Sequence, residues 1–421
     1  MTKTNARIKW LLRCASPFAV ALVVFPMDES LAQTSRDDFR NMTVLQRARP
    51  EFDAKGIPLS AGFRLLPTLA VTEAYTDNLY WTESNTVSDF QTTISPKVNL
   101  ASNWSRHQFN LTGYADINRF ARRDTENTVE YGIGGALALE LGGGGSLGLS
   151  TGYDRITVRR SDPESRDRIA PEQVSIANTK AEWAQRYAFL LLGARIEFLD
   201  RKEASALDRD KDRTEYGGAF RIGYVFSPAL NGFLEPFYTK RDFKLATDFA
   251  GVDRDSDVSG INAGIGYDIT GVLYGETKIG WYRTSFADPG TKSNVGLSVE
   301  SNTTWNLTAR DTLIFTLARK NVVTNTFDAS SRVLTGGMVQ YQHDVRRNII
   351  FQADLSYYDD DFIESNPRRV DTRIIGRMQA DYLFNRYLSA YVSFSQTDIS
   401  STIAFESSNE SRAMIGIRTQ I

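Results

Sequence analysis

The chain has 421 residues, of which 41% are hydrophobic and 24% charged, and its formal net charge is −2. Without a basic excess to neutralise phosphates, the composition argues against a nucleic-acid partner. The mean hydropathy of −0.33 excludes a protein with several membrane-spanning helices, each of which needs about 20 apolar residues. It does not exclude a membrane β-barrel, in which only alternate strand residues face lipid.

The first segment of the chain has the pattern of a secretory signal peptide. Basic residues between Lys3 and Arg13 precede an apolar stretch at 14–27, which is too short to span a bilayer. Small residues up to Ala32 fit the site that signal peptidase cleaves. We therefore expect residues 1–32 to be a cleaved signal peptide, with an uncleaved anchor as the alternative.

Residues 33–58 are polar and lack periodicity, which predicts a periplasmic N-terminal arm with Leu45 and Phe52 as its obvious anchors. From residue 59 to residue 421 the pattern changes to alternation. In the segment 109–118, for example, Phe, Leu, Gly, Ala and Ile alternate with Asn, Thr, Tyr, Asp and Asn. A period of two is the signature of a β-strand, because successive side chains point to opposite faces. Residues 59–421 are therefore predicted to form one β-domain.

Two kinds of connection join the predicted strands. Short turns recur near Ser105, Gly143, Gln185, Ala229, Gly271, Arg310, Arg346 and Asn385. Longer, charged connections include 161–168, Asp208 to Glu215, Asp253 to Asp257 and Asp359 to Arg369. Eight short turns and nine long loops imply eighteen strands, with sixteen as an alternative. Because short periplasmic turns and long outer loops are typical of outer-membrane barrels, we predict an all-β, transmembrane, antiparallel up-and-down barrel with both termini periplasmic.

The environment of the strands supports a closed barrel over a soluble sandwich, propeller or solenoid. An open sheet edge in hydrocarbon would leave backbone groups unpaired at several kcal/mol each, so the sheet must close on itself. Aromatic residues recur at predicted strand ends, where interfacial girdles form. The predicted girdle residues are Tyr75, Tyr80, Trp81, Trp104, Trp183, Tyr187, Phe226, Trp281, Tyr282, Trp305, Tyr382, Phe384 and Tyr387.

The start of the β-domain carries a family resemblance. Residues 49–59 read RPEFDAKGIPL, residues 62–69 read GFRLLPTL, and residues 73–80 read EAYTDNLY. An Arg-Pro…Gly arm, a first strand with a proline and an Asp-Asn turn resemble the barrel entry of the outer-membrane β-barrel porin type 2 family of Gram-negative bacteria. The resemblance implies an outer-membrane barrel of porin size. As an alternative, it implies the role that some members are assigned, which is polysaccharide export together with periplasmic proteins.

The polar face of the strands predicts the lining of a pore. Charged side chains in mid-strand would cost about 2–4 kcal/mol if they faced lipid, so we expect them to face a water-filled lumen. Seven acids and five bases give near balance, which predicts weak charge selectivity with a slight preference for cations. The pore-lining candidates are Asp116, Arg195, Glu197, Arg221, Asp268, Glu276, Lys278, Glu300, Asp354, Arg373, Arg377 and Asp381.

Three functions are open at this point. The first is a porin-like outer-membrane channel that passes small hydrophilic solutes by passive diffusion. The second is a conduit for exopolysaccharide acting with a periplasmic export partner. A remote third is an outer-membrane hydrolase built on His107 or His343, with Ser105 and Asp344 as the neighbouring residues. The expected partners are outer-membrane lipid, lipopolysaccharide and the barrel-assembly machinery; no catalytic residue, metal or cofactor is expected.

Overall fold

The fold is known from a computed structural model that describes residues 40–163, 165, 170–324, 326 and 329–421. The predicted signal peptide, residues 1–32, lies outside the described residues. The described part of the chain contains no helix that is both long and apolar enough to cross a bilayer. Its short 3-10 helices are Val44–Gln46, Ser60–Gly62, Asp124–Glu126, Gly142–Gly144 and Ala206–Lys211. Its strands are β1 (Ile57–Pro58), β2 (Phe63–Thr76), β3 (Asp89–Ser102), β4 (Gln108–Phe120), β5 (Thr128–Leu141), β6 (Gly145–Thr157), β7 (Gln173–Tyr187), β8 (Leu190–Glu203), β9 (Arg213–Ser227), β10 (Leu230–Phe243), β11 (Ser256–Ile269), β12 (Leu273–Phe286), β13 (Asn294–Thr308), β14 (Asp311–Val322), β15 (Ser331–Arg346), β16 (Ile349–Ile363), β17 (Arg369–Leu383), β18 (Leu388–Ser401) and β19 (Ser408–Gln420).

The strands close into one antiparallel barrel. Each strand from β2 to β18 pairs with the next strand in the chain, and β19 pairs back onto β2, with Ala413 opposite Tyr75. The barrel therefore has eighteen strands, as predicted, and the short β1 pairs with the start of β2. Closure gives every barrel strand two hydrogen-bonded neighbours, so no free sheet edge meets the membrane.

The two faces of the barrel differ as the alternation predicts. On β11, Ile261, Ile265 and Ile269 are about half exposed, whereas Asn262 between them is 5% exposed. The same arrangement recurs around the ring, so large apolar side chains cover the outside while polar side chains point inward. A soluble protein does not tolerate a continuous apolar exterior of this size, but hydrocarbon covers it.

The connections define two ends of the barrel. At the turn end the strands are joined by short turns, such as 188–189 between β7 and β8. At the loop end the connections are longer, and the longest is 158–172 between β6 and β7. Gln185, predicted near a turn, lies within β7, because the strand continues to Tyr187 before Ala188 takes a positive φ of 47°.

Charged residues predicted to lie in loops extend several strands instead. The run Asp359–Asp361 belongs to β16, and Arg213–Glu215 opens β9. Ser256 and Asp257 likewise begin β11. The loop prediction was wrong here. A run of charged residues indicates a loop only if the strands bury apolar side chains inside the barrel, and in this barrel the inner face carries charged side chains. Asp360 faces inward against Arg332 and Arg373, which compensate its charge.

One predicted girdle residue also lies inside the barrel. Trp281 is 65% exposed and points outward, as predicted. Its neighbour Tyr282 is 3% exposed and lines the lumen side, since adjacent strand residues face opposite ways. The girdle assignment of Tyr282 was therefore wrong.

Close approach between strands makes some glycines costly to replace. A Cβ at Gly280 of β12 would overlap the carbonyl oxygen of Ile261 and the backbone of Asn262 on β11, whereas a Cβ at Gly376 of β17 would meet open space. We expect Gly280→Ala to lower the free energy of unfolding by about 1–3 kcal/mol, because the neighbouring backbone must shift. Gly376→Ala is the matched control and should be neutral. Urea unfolding in lipid vesicles, followed by tryptophan fluorescence, measures both; equal midpoints for the two variants would contradict the expectation.

Candidate channel lumen

All twelve predicted pore-lining residues lie on the inner face of the barrel. Each alternates along its strand with outward-facing residues, as Lys278 does with the exposed Ile279. The structure brings six of the twelve together on the wall formed by β8 to β13 and a further three on β16 and β17. That they line an ion path stays a prediction.

The first group forms a connected set of ion pairs, which we call the central cluster: Arg195, Glu197, Arg221, Glu235, Glu276, Lys278 and Glu300. Arg221 of β9 donates to Glu276 of β12 through both terminal nitrogens, at 2.7 and 2.9 Å. This contact passes over β10 and β11, which is geometrically possible only on the concave inner face. The Lys278 Nζ atom lies 3.1 Å from Glu300, and the Arg195 Nε atom lies 3.1 Å from Glu197.

Glu235, which was not among the predicted lining residues, is the hub of the central cluster. It is 3% exposed, accepts a hydrogen bond of 2.8 Å from Arg221 Nε and lies 3.1 Å from Lys278 Nζ. Arg195 is 3.9 Å away, so one carboxylate faces three cations. The inner face of β10 carries aromatic residues beside Glu235, namely Phe233 and Phe237, which hid its polar character. Glu235 is recognised as a cluster residue by the cations that surround it from other strands, and not by polar neighbours on its own strand.

The second group lies on β16 and β17. Arg377 donates to Asp354 at 2.7 Å, and Asp354 also accepts from Gln340 of β15 at 2.8 Å. Asp381 accepts from Gln352 at 3.2 Å and from Gln379 at 2.9 Å.

The remaining predicted residues lie apart from both groups. Arg373 pairs with Asp360 at 2.9 Å near the loop end. Asp116 accepts a hydrogen bond from the Ser95 hydroxyl. Asp268 accepts from the backbone nitrogen of Gly271 at 2.9 Å, which places it at the turn end rather than in mid-lumen.

The loop-end mouth is crossed by the start of the connection between β6 and β7. Arg160, shortly after β6, binds both carboxylate oxygens of Glu126, at 2.8 and 2.9 Å. Glu126 lies in the connection between β4 and β5, on the same side of the ring as β6. On a distant wall, Arg369 of β17 donates to the carbonyl oxygen of Pro163 at 2.8 Å, and Arg373 donates to that of Ser161 at 3.5 Å. Because β17 is far from β6 around the ring, this segment spans the mouth and narrows it.

The turn-end mouth is occupied by the N-terminal arm. Val44 is fully buried, and its backbone nitrogen donates to Thr312 at 3.1 Å. Arg47 donates to the carbonyl oxygen of Ala309 at 2.6 Å and to Asn306 at 3.1 Å. Arg49 forms an ion pair of 3.2 Å with Asp344 on the inner face of β15. Side chains of the arm therefore anchor inside the barrel.

The arm differs in detail from the sequence prediction. Leu45, predicted as an anchor, is 42% exposed, because the neighbouring Val44 takes the buried position. Burial raises the pKa of the Asp53 carboxyl, and a hydrogen bond from the backbone nitrogen of Arg49 opposes that rise.

The two histidines have structural partners. His107 Nδ1 accepts from the backbone nitrogen of Glu140 at 3.2 Å. His343 Nδ1 lies 2.7 Å from Asp311 on the outer side of the barrel, whereas the adjacent Asp344 faces inward to Arg49. The pairing of His343 with Asp344 that a hydrolase would require is therefore not formed.

The barrel sequence is similar to that of a known protein family. Residues 49–421 match the sequence profile of the family described as Putative beta-barrel porin 2. No curated protein sequence matches the chain.

Several solved structures are similar in fold. The FrpB iron transporter from Neisseria meningitidis (F3-3 variant) is 10% identical with a TM-score of 0.44, over 79% of this chain and 62% of the transporter, so this chain spans less than two thirds of that protein. OpdK from Pseudomonas aeruginosa, solved with vanillate, is 11% identical with a TM-score of 0.44, over 85% and 99% of the two chains. The siderophore receptor PirA from Pseudomonas aeruginosa is 8% identical with a TM-score of 0.41, over 85% and 80%.

Proposed function

Because the chain belongs to the Putative beta-barrel porin 2 family and is an outer-membrane β-barrel with a porin-like channel architecture, we propose that it passes small hydrophilic solutes by passive diffusion. The observation that supports this proposal is the inner face, where ionised side chains such as those of the central cluster are paired with one another. Such a surface is stable next to water and would be costly in a dry, apolar interior. The family is described as one of porin-like barrels, which favours a channel over the hydrolase.

The proposed orientation follows from the lengths of the connections. Outer-membrane barrels have short periplasmic turns and longer outer loops, so the turn end, with both termini of the barrel, would face the periplasm. The arm would then enter the lumen from the periplasmic side. Lipid, lipopolysaccharide at the loop end and the barrel-assembly machinery remain the proposed partners.

Conductance in planar bilayers tests the channel. We expect the purified protein alone to conduct in KCl, with a reversal potential near zero under a salt gradient, because cations and anions of the lumen wall neutralise each other. A strong preference for one ion would contradict the balanced lumen, and silence under all conditions would contradict passive diffusion.

The occupied turn-end mouth favours export of a polysaccharide as the second candidate. A periplasmic partner that displaced the arm would open the lumen at the end where Arg47 and Arg49 now bind. A channel that is silent alone and conducts only with such a partner would support this candidate, as would loss of surface polysaccharide on deletion of the protein.

A further inference from the structure

A pocket opens in the lumen wall on the loop-end side of the central cluster. Its volume is about 170 Å³, and residues of β8 to β14 line it. For scale, an engineered cavity of about 150 Å³ takes up benzene, so this pocket can hold a small organic solute. Lys278 and Glu300 of the central cluster are among the residues that line it. Arg241 of β10 and Asn321 of β14 also line the pocket, and Arg241 donates a hydrogen bond of 3.1 Å to the Asn321 side chain.

Two aromatic rings supply an apolar surface inside the pocket. Phe237 of β10 is in register with Gly260 of β11, and Gly260 is in register with Tyr282 of β12. Tyr282 in turn is in register with Gly296 of β13. A Cβ at Gly260 would overlap the Phe237 ring, and one at Gly296 would overlap the Tyr282 ring. The glycines therefore leave room for both rings to lie over the sheet beside the pocket.

Buried polar atoms of the pocket lack partners within the described residues. They are the Tyr282 hydroxyl, the Asn262 Oδ1 atom and the Asn321 Nδ2 atom. A buried polar group left without a hydrogen bond costs about 1–3 kcal/mol. An occupant with hydrogen-bonding atoms would recover that free energy, whereas a purely apolar occupant would not.

The charges of the pocket leave a positive excess. Glu215 is shared between Arg213, at 2.8 Å, and Arg241, at 3.6 Å. Glu300 is paired with Lys278. Lys320 of β14 also lines the pocket, yet it forms no ion pair or hydrogen bond with the part of the chain that the structure describes. Glu300 and Glu215 act on Lys320 only at longer range. An ammonium group held in a partly buried site with no carboxylate in direct contact favours an anionic ligand.

We propose that this pocket is a binding subsite for a small organic monocarboxylate. The carboxylate pairs with Lys320, and the ring or apolar body of the ligand packs on Phe237 and Tyr282. One negative charge fits better than two, because a second carboxylate would approach Glu300. The subsite rests on the proposed channel function, since the lumen must admit the ligand.

Direct binding to the full chain, folded in detergent, tests the subsite. Saturation-transfer NMR with benzoate should report binding to the wild-type protein and none with benzylammonium, which has the same ring and the opposite charge. Lys320→Gln should weaken benzoate binding about tenfold or more, the effect of losing a charge-assisted hydrogen bond. Lys320→Arg keeps the charge and should retain binding. Lys97→Gln, on the inner face of β3, is the control for loss of a lumen lysine away from the pocket and should change binding less than about twofold.

Each outcome of this experiment decides the proposal. Equal binding of benzylammonium and benzoate by the wild-type protein overturns it, even if Lys320→Gln fails to fold. Equal benzoate affinity in wild type and Lys320→Gln overturns it as well. In planar bilayers, benzoate should interrupt the KCl current of the wild type. Conductance without benzoate binding refutes the subsite alone, whereas benzoate binding without conductance refutes the passive channel and leaves the subsite standing.

Discussion

Replacing Glu235 with Gln is expected to lower the free energy of unfolding of the barrel by about 3 kcal/mol, because it leaves the buried Lys278 and the partly buried Arg195 and Arg221 without their shared carboxylate. Arg221 and Lys278 hydrogen-bond to Glu235 directly, and Arg195 lies 3.9 Å away. Glutamine fills the same volume, so the loss reports charge rather than packing. Urea unfolding in lipid vesicles measures it.

The same variant should also shift ion selectivity. Removing one acid makes the lumen wall less negative, so the ratio of K⁺ to Cl⁻ permeability should fall. Reversal potentials under a KCl gradient report this ratio. Glu364→Gln, in an exposed loop-end connection, removes the same charge without touching the central cluster and should change neither quantity. Wild-type stability in Glu235→Gln would mean that the hub carries no stabilising role.

Replacing Arg47 with Ala is expected to release the N-terminal arm from the turn-end mouth. The variant loses hydrogen bonds to Ala309, Asn306 and Thr312 that a charged guanidinium now donates. We expect the free energy of arm opening to fall by about 3 kcal/mol, which raises cleavage by trypsin after Lys55 roughly a hundredfold when opening is fast. Time courses of limited proteolysis measure the change.

The arm variant has a matched control and a second measurement. Leu45→Ala alters an exposed neighbour in the same segment and should leave the cleavage rate within about threefold of wild type. Single-channel conductance of Arg47→Ala should exceed that of the wild type, because the arm occupies part of the mouth. An unchanged conductance together with an unchanged cleavage rate would show that Arg47 does not hold the arm in place.

Paired charges explain why the strands predicted from the sequence ended too early and the predicted loops were too long. Asp359–Asp361 looks like solvated loop charge, but its alternation continues β16, and Asp360 meets Arg332 and Arg373. In a barrel with a wet, ionic lumen, the inner face of a strand tolerates charge, so local composition does not separate strand from loop there. The outer face does not tolerate charge in the same way, and Ile261 and Leu355 are exposed there as the alternation predicts.

The sequence by itself determined that the chain forms a barrel, that its strands have similar lengths, and on which face of a strand each predicted lining residue lies. These properties follow from a period of two, which is local to the backbone and can be recognised in any short segment. Closure then follows because hydrocarbon tolerates no unpaired sheet edge.

Only the tertiary structure decided which inward residues meet. Arg221 reaches Glu276 across two strands, Arg369 reaches Pro163 across the mouth, and Arg49 reaches Asp344 from the far end of the chain. These contacts depend on the register of the ring and on segments that fold into the lumen, and neither leaves a local trace in the sequence. The hub Glu235, the docked arm and the pocket beside Lys320 therefore became visible only when distant strands were brought to one wall.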